Sequence, residues 1–255
     1  MCQLLGMNCN VPTDIAFSFE GFRRRGGLTD EHSDGWGIGF FEAGAWRLFL
    51  DYLPSATSPV ADFVRAYPIK SLNVLAHIRK ATQGQLSLAN THPFRRELWG
   101  REWLLAHNGN LPELRYAGQR FRPLGDTDSE QAFCLLLDRL SAEFSTMPDT
   151  IALFAAIRRI TAELAKAGSF NVLLGVEDLL FAHCSTQLHY LIRKAPFRHA
   201  HLADADVSIN FAECTTPNDR AAIIATLPLT DNEAWIRLEP GSLTLFRAGQ
   251  VELAG

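Results

Sequence analysis

The chain has 255 residues, 47% of them hydrophobic and 20% charged, with a formal net charge of −4. That balance belongs to a globular chain with a full core, and its slight acidity argues against nucleic acid or an anionic membrane as partner. Five cysteines, an odd number without a CxxC pair, argue against a disulfide framework or zinc cluster and fit a reducing, cytoplasmic setting; there is no leader pattern and no membrane-spanning apolar run.

Short apolar runs at Cys2 to Met7, Trp36 to Phe41 and Trp46 to Leu50 predict strands, with the polar, glycine-punctuated stretch GFRRRGGLTDEHSDG as a loop between the first two. A short helix is expected after Ser58, then a strand over SLNVLAHIRKA and another over REWLLAHNGNL, which ends on a turn signal. From Thr127 the period changes. TDSEQAFCLLLDRLSAEF and PDTIALFAAIRRITAELAKAG place apolar residues at helical spacing, with Gly168 where a C-cap belongs. The remainder, SFNVLLGVEDLLFAHC, QLHYLIRK, ADVSINFAE, RAAIIATLPL and AWIRLEPGSLTLFRAGQVEL, predicts successive antiparallel strands. Strands, two central helices and strands again imply sheets packed with helices in one α+β domain over residues 1–255, without linker or repeat.

Four stretches carry candidate chemistry. Cys2 is a strand cysteine or, once Met1 is removed, a nucleophile with its own α-amine as base: the amine's pKa of roughly 7.7–8.0 sits beside a thiol of roughly 8.5. In AHIRKATQG, Arg79 either grips a substrate carboxylate in bidentate fashion or snorkels from the strand end. In LLAHNGNL, Asn108-Gly109 is a hairpin dipeptide or a pair of oxyanion donors. In DTDSE, Thr127 or Asp128 serves as an N-cap, or Asp128 accepts an ammonium group. His77 and His107 are expected to face away from the motif residues they precede, Arg23 to Arg25 to form a solvated loop face, and the other histidines to lack metal-ligand spacing.

MC, HIRKATQG, THPF, HNG and TDSE, in this order and spacing, resemble the class II glutamine amidotransferases, which are N-terminal-nucleophile hydrolases with a four-layer αββα sandwich. DGWGIGFF is similar to the compact stand-alone bacterial members, the YafJ type, and to γ-glutamyl hydrolases. The resemblance implies Cys2 as nucleophile, Asn108 and Gly109 as oxyanion hole, Arg79 with Thr82 on the substrate carboxylate, and Asp128 on the α-ammonium. It calls for neither cofactor nor metal. The implied reaction releases ammonia from glutamine, or an amine from a γ-glutamyl amide, through a Cys2 thioester. Two rivals stand beside it: a hydrolase of larger γ-glutamyl amides, and a non-catalytic glutamine-binding partner subunit. Lys80 and Gln83 stand where the large synthases carry tryptophan and histidine. With the chain ending at Gly255, any ammonia is expected to pass to a separate acceptor subunit or to be released.

Overall fold

The computed structural model describes residues 2–81 and 85–255. The chain begins β1 (Gln3–Thr13), α1 (Ala16–Arg24), β2 (Trp36–Glu42), β3 (Ala45–Asp51), α2 (Pro59–Ala66), β4 (Ser71–Ile78), β5 (Phe94–Leu98) and β6 (Arg101–Asn110). The two central helices are α3 (Asp128–Glu143) and α4 (Thr150–Leu164). Then come β7 (Ser169–Val176), β8 (Leu179–His183), β9 (His189–Lys194), β10 (His199–His201), β11 (Ser208–Asn210), β12 (Arg220–Ala225), β13 (Ile236–Arg237), β14 (Leu243–Arg247) and β15 (Gln250–Ala254).

Among the described residues the strands form one sheet in the order β13-β9-β12-β1-β4-β2-β3 and a second in the order β15-β14-β8-β7-β6-β5, with β10 and β11 as a separate pair. The pairings are antiparallel throughout. Side chains alternate across a strand, so β1 serves two cores. Leu5, Met7 and Cys9 pack with Phe19 and Phe22 of α1 and Ala61 and Val64 of α2. Leu4 turns the other way and joins Leu75 of β4 with Leu104 and Ala106 of β6 and Leu173 of β7. A third core sets Phe133 and Leu137 of α3 and Ile157 and Ile160 of α4 against Leu105, Phe170 and Leu174. Three cores between four layers make the expected αββα sandwich. Burial on both faces is also why the strands read as continuous apolar runs rather than alternating ones. Gly39 lets the sheets approach, since a Cβ there would lie 2.4 Å from Leu104 Cδ2.

Four local expectations change. Helix α1 takes the start of the stretch read as a loop. Gly21 lowers its propensity by about 1 kcal/mol, but Phe19 and Phe22 are essentially fully buried, each contributing roughly 1.5–3 kcal/mol. Packing wins. Strand β5 was not foreseen, because Arg95, Arg96 and Glu97 break the apolar signal. Strand β4 stops at Ile78, three residues short of the predicted end. Gly168 follows a 3₁₀ turn (Ala165–Ala167) rather than α4 itself, at φ 151, and a Cβ there would lie 2.1 Å from the Asn110 carbonyl oxygen.

Candidate active site

The register between the two central strands of the first sheet places Gln3 opposite Ile78, and so Cys2 opposite Arg79. Cys2 is partly buried. The Lys80 main-chain N–H donates to its Sγ at 3.3 Å, and the thiol lies 3.4 Å from the Lys80 carbonyl oxygen. Burial pushes the thiol pKa up, against the pull of that N–H and of the Arg79 charge. The thiol therefore needs a base. Arg79 is buried; its main chain bonds Gly35 O at 2.8 Å and Asp34 N at 3.1 Å, and its Nη1 donates to Gln85 O at 3.2 Å. Its guanidinium is thereby held at the end of β4, beside Cys2, rather than snorkelling into solvent. Thr82, expected to share the carboxylate, lies outside the described residues.

From the opposite sheet, β6 brings Asn108 and Gly109. Asn108 faces the inter-sheet layer and is fully buried; its Nδ2 donates to Thr226 Oγ1 at 3.2 Å. Thr226 Oγ1 in turn accepts the Leu4 N–H at 3.0 Å. This chain of contacts crosses from one sheet to the other two residues beyond Cys2. The Asn108 carbonyl accepts from Nδ2 of Asn171, its partner on β7, at 3.0 Å. Asn108 Oδ1 has no hydrogen-bond partner among the described residues. Gly109 must be glycine, since a Cβ would lie 1.9 Å from the Ser169 carbonyl oxygen. These residues continue β6 rather than forming a hairpin turn.

Helix α3 begins over the end of β6. Thr127 is its N-cap, with Oγ1 accepting the Glu130 N–H at 3.2 Å, so Asp128 is free of that task. The Asp128 carboxylate takes the Leu111 N–H at 2.6 Å on Oδ2 and the Ser129 N–H at 2.9 Å on Oδ1. A carboxylate has about four acceptor positions, so it retains capacity for a cation. Asp128 is thus tied to the residue following Asn110, at the exit of β6.

Several participants escaped sequence reasoning. Asp34 Oδ2 accepts the Ala81 N–H at 2.7 Å and so shapes the chain leaving Arg79 and Lys80. Asn171 had a signal, an asparagine in an apolar strand, whereas Thr226 had none. His107 does turn away from Asn108: its Nε2–H donates to Ser169 O at 3.1 Å, leaving Nδ1 to accept from Ser129 Oγ at 2.8 Å. His77 does not turn away from Arg79. His77 lies opposite Leu4 on the inter-sheet face of β4, and the strand's alternation, continued one residue past its end at Ile78, carries Arg79 to the same side. His77 and His92 stack with ring centroids 4.1 Å apart, and none of their four ring nitrogens makes a well-formed hydrogen bond among the described residues. Burial holds His77 down to about 3 and His92 well below the usual histidine range. The arginine triplet is also corrected. Arg23 and Arg24 close α1 on Glu20, while Arg25 is buried, bonded to Asp204 and to the carbonyls of Leu227 and Pro228.

The whole chain, residues 1–255, matches the family model described as class II glutamine amidotransferases. A Haemophilus influenzae protein and the Escherichia coli protein YafJ, each named "Putative glutamine amidotransferase", are 53% and 51% identical to it, over 98% of this chain and 85% and 99% of theirs. A crystal structure described as a "predicted glutamine amidotransferase" from Pseudomonas aeruginosa covers 99% of this chain and all of its own, at 42% identity and TM-score 0.80. The Bacillus subtilis glutamine phosphoribosylpyrophosphate amidotransferase matches in fold, at 14% identity and TM-score 0.59, with 49% of its chain covered. No described helix is long and apolar enough to cross a membrane. The cysteine at the head of the central strand, the arginine opposite it and the Asn-Gly pair facing them thus stand in a sandwich shared across these proteins, and the chain belongs to the class II glutamine amidotransferases.

Proposed function

We propose that this protein hydrolyses the side-chain amide of glutamine, or a γ-glutamyl amide, with Cys2 as an N-terminal nucleophile. The observation that carries the reading is the meeting of Cys2 and Arg79, opposite one another across two strands, with Asn108 from the facing sheet through Thr226 and Leu4. Removal of Met1, which lies outside the described residues, converts the Cys2 nitrogen from an amide into an amine able to accept the thiol proton. The Lys80 N–H steadies the thiolate. The sulfur attacks the amide carbon, and the oxyanion is held by Asn108 Nδ2 and the Gly109 N–H. The Cys2 ammonium formed by that proton transfer then protonates the leaving nitrogen, the C–N bond breaks, and a thioester remains. Water, deprotonated by the same amine, resolves it to free glutamate and restores the thiol.

Arg79, with Thr82, holds the substrate carboxylate, and Asp128 takes its α-ammonium. The chain acts as one domain in the cytoplasm, consistent with its five free cysteines. Ammonia passes to a separate acceptor or is released. The test is ammonia and glutamate release from glutamine and a panel of γ-glutamyl amides, with intact mass measured on the same sample. Active protein should lack one methionine, Cys2→Ala should be folded and inactive, and a glutamine-like electrophile should label Cys2 while sparing Cys9, Cys134, Cys184 and Cys214. Full activity in uniformly Met1-retaining protein would refute the mechanism. Turnover of large amides but not glutamine would assign the second substrate class.

A further inference from the structure

We propose that Thr226 is a positioning residue that sets which way the Asn108 carboxamide faces, an inference that rests on reading Asn108 as an oxyanion donor. Thr226 follows β12 and is itself held by its main chain. Its N–H donates to Leu4 O at 3.2 Å, and its carbonyl accepts from His189 Nδ1 at 2.9 Å. Its hydroxyl is buried and receives two donors, the Leu4 N–H at 3.0 Å and Asn108 Nδ2 at 3.2 Å. In that arrangement the hydroxyl proton meets no acceptor among the described residues, while Oδ1 of the same Asn108 carboxamide has no donor among them. A buried donor and a buried acceptor left open side by side are one mispairing.

A half-turn of the carboxamide exchanges its nitrogen and oxygen with no other atom moving. The Thr226 hydroxyl then donates to Asn108 Oδ1 and still accepts from Leu4. Both protons of Nδ2 come to the side where Oδ1 found no donor among the described residues. The NH2 group then faces the inter-sheet layer at the end where β1 begins, next to Cys2. That is the arrangement an oxyanion requires. Threonine suits the task because its branched side chain restricts χ1. The same hydroxyl contacts Leu4, so the direction of the donor and the start of the nucleophile's strand are set by one residue.

The test uses the full, Met1-processed chain with L-glutamine and γ-glutamyl-p-nitroanilide as probes. Thr226→Val removes the hydroxyl at constant shape, and Thr226→Ser restores it. Thr226→Val should lower kcat roughly tenfold to a hundredfold, a fraction of the loss of a whole oxyanion donor, with KM nearly unchanged. Thr226→Ser should recover most of the rate. Iodoacetamide should alkylate Cys2 at the wild-type rate in both, as expected if the thiol is undisturbed. Combined with Asn108→Ala, Thr226→Val should produce no further loss, because the residue acts through that amide. A slow Asn108→Ala beside a Thr226→Val of wild-type kcat would overturn the positioning role alone. Losses that multiply in the double variant would also overturn it, since Thr226 would then act through β1. A wild-type kcat in Asn108→Ala, or a wild type that turns over neither probe, would remove the oxyanion or hydrolase reading and this proposal with it.

Discussion

The two ends of the sandwich use the same device to opposite effect. At the end away from Cys2, Asn8 of β1 is fully buried, donates through Nδ2 to the Asp178 carbonyl at 2.8 Å and accepts the Gly249 N–H at 3.1 Å. Asn73 of β4 beside it donates to the carbonyls of Glu177 and Leu179, though its Oδ1 is unpartnered among the described residues. Both stitch one sheet to the β7–β8 turn of the other. At the Cys2 end, Asn108 is equally buried and also crosses between sheets, yet its Oδ1 is open and the rings of His77 and His92 lack well-formed bonds. Unmet polar groups destabilise a fold by about 1–3 kcal/mol each. Asn73 Oδ1 is one such group at the far end, against Asn108 Oδ1 and both ring nitrogens of His77 and of His92 at the Cys2 end, so the unmet hydrogen-bonding capacity is greater where Cys2 lies.

The largest test of this contrast exchanges the two asparagines for alanine. Asn108→Ala should raise the barrier by roughly 2.7–4 kcal/mol in kcat with a modest fall in Tm. Asn8→Ala should leave kcat at its wild-type value but lower stability by about 1–3 kcal/mol or more, because the Gly249 N–H and Asp178 carbonyl lose their partner. Equal effects of the two on kcat and Tm would dissolve the distinction between the ends. Next in size is Arg79→Lys, which keeps the charge but loses the planar fork. KM for glutamine should rise about tenfold to a hundredfold while the protein stays folded. An unchanged kcat/KM would show that the guanidinium grips no carboxylate.

Acid should act on the Cys2 end first. His77 is held down to about 3 in the folded chain, against 6.5 as its ordinary value. The unfolded chain therefore binds the proton more readily, and stability is lost as pH falls from about 6.5 toward about 3. At pH 5 this linkage amounts to about 2 kcal/mol for His77. His77→Phe should flatten the stability profile between pH 7 and pH 5, whereas Asn8→Ala should leave its slope unaltered. Chemical denaturation at several pH values measures both. The smallest effect belongs to Lys80. Its exposed side chain pairs with Glu31 at 3.0 Å, but it is the main-chain N–H that meets the thiol. Lys80→Ala should keep kcat within about twofold, as expected for an exposed ion pair. A large loss would bring the side chain into the site.

Much of this molecule is legible from residue order alone. Apolar runs and their change of period identify most strands and both central helices, because burial on both faces of a sheet and on one face of a helix leaves a periodic record. Cys2, Arg79, Asn108, Gly109 and Asp128 are visible because each is a polar or conformationally special residue at the edge of an apolar segment. Helix α1 and strand β5 are poorly recorded, since Gly21 and the charges of β5 contradict the local pattern and only packing overrules them. Tertiary structure alone decided the rest. It inserted β1 between β4 and the distant β12, which brings Thr226 to Leu4 across more than two hundred residues of chain. It also turned His77 to the face of Arg79 and aimed Asn108 across the gap between sheets. Strand order and the partners of buried polar groups are set by which surfaces close over one another. Those long-range pairings leave no period in the sequence, so a threonine in an apolar run reads as filler until the sheets are stacked.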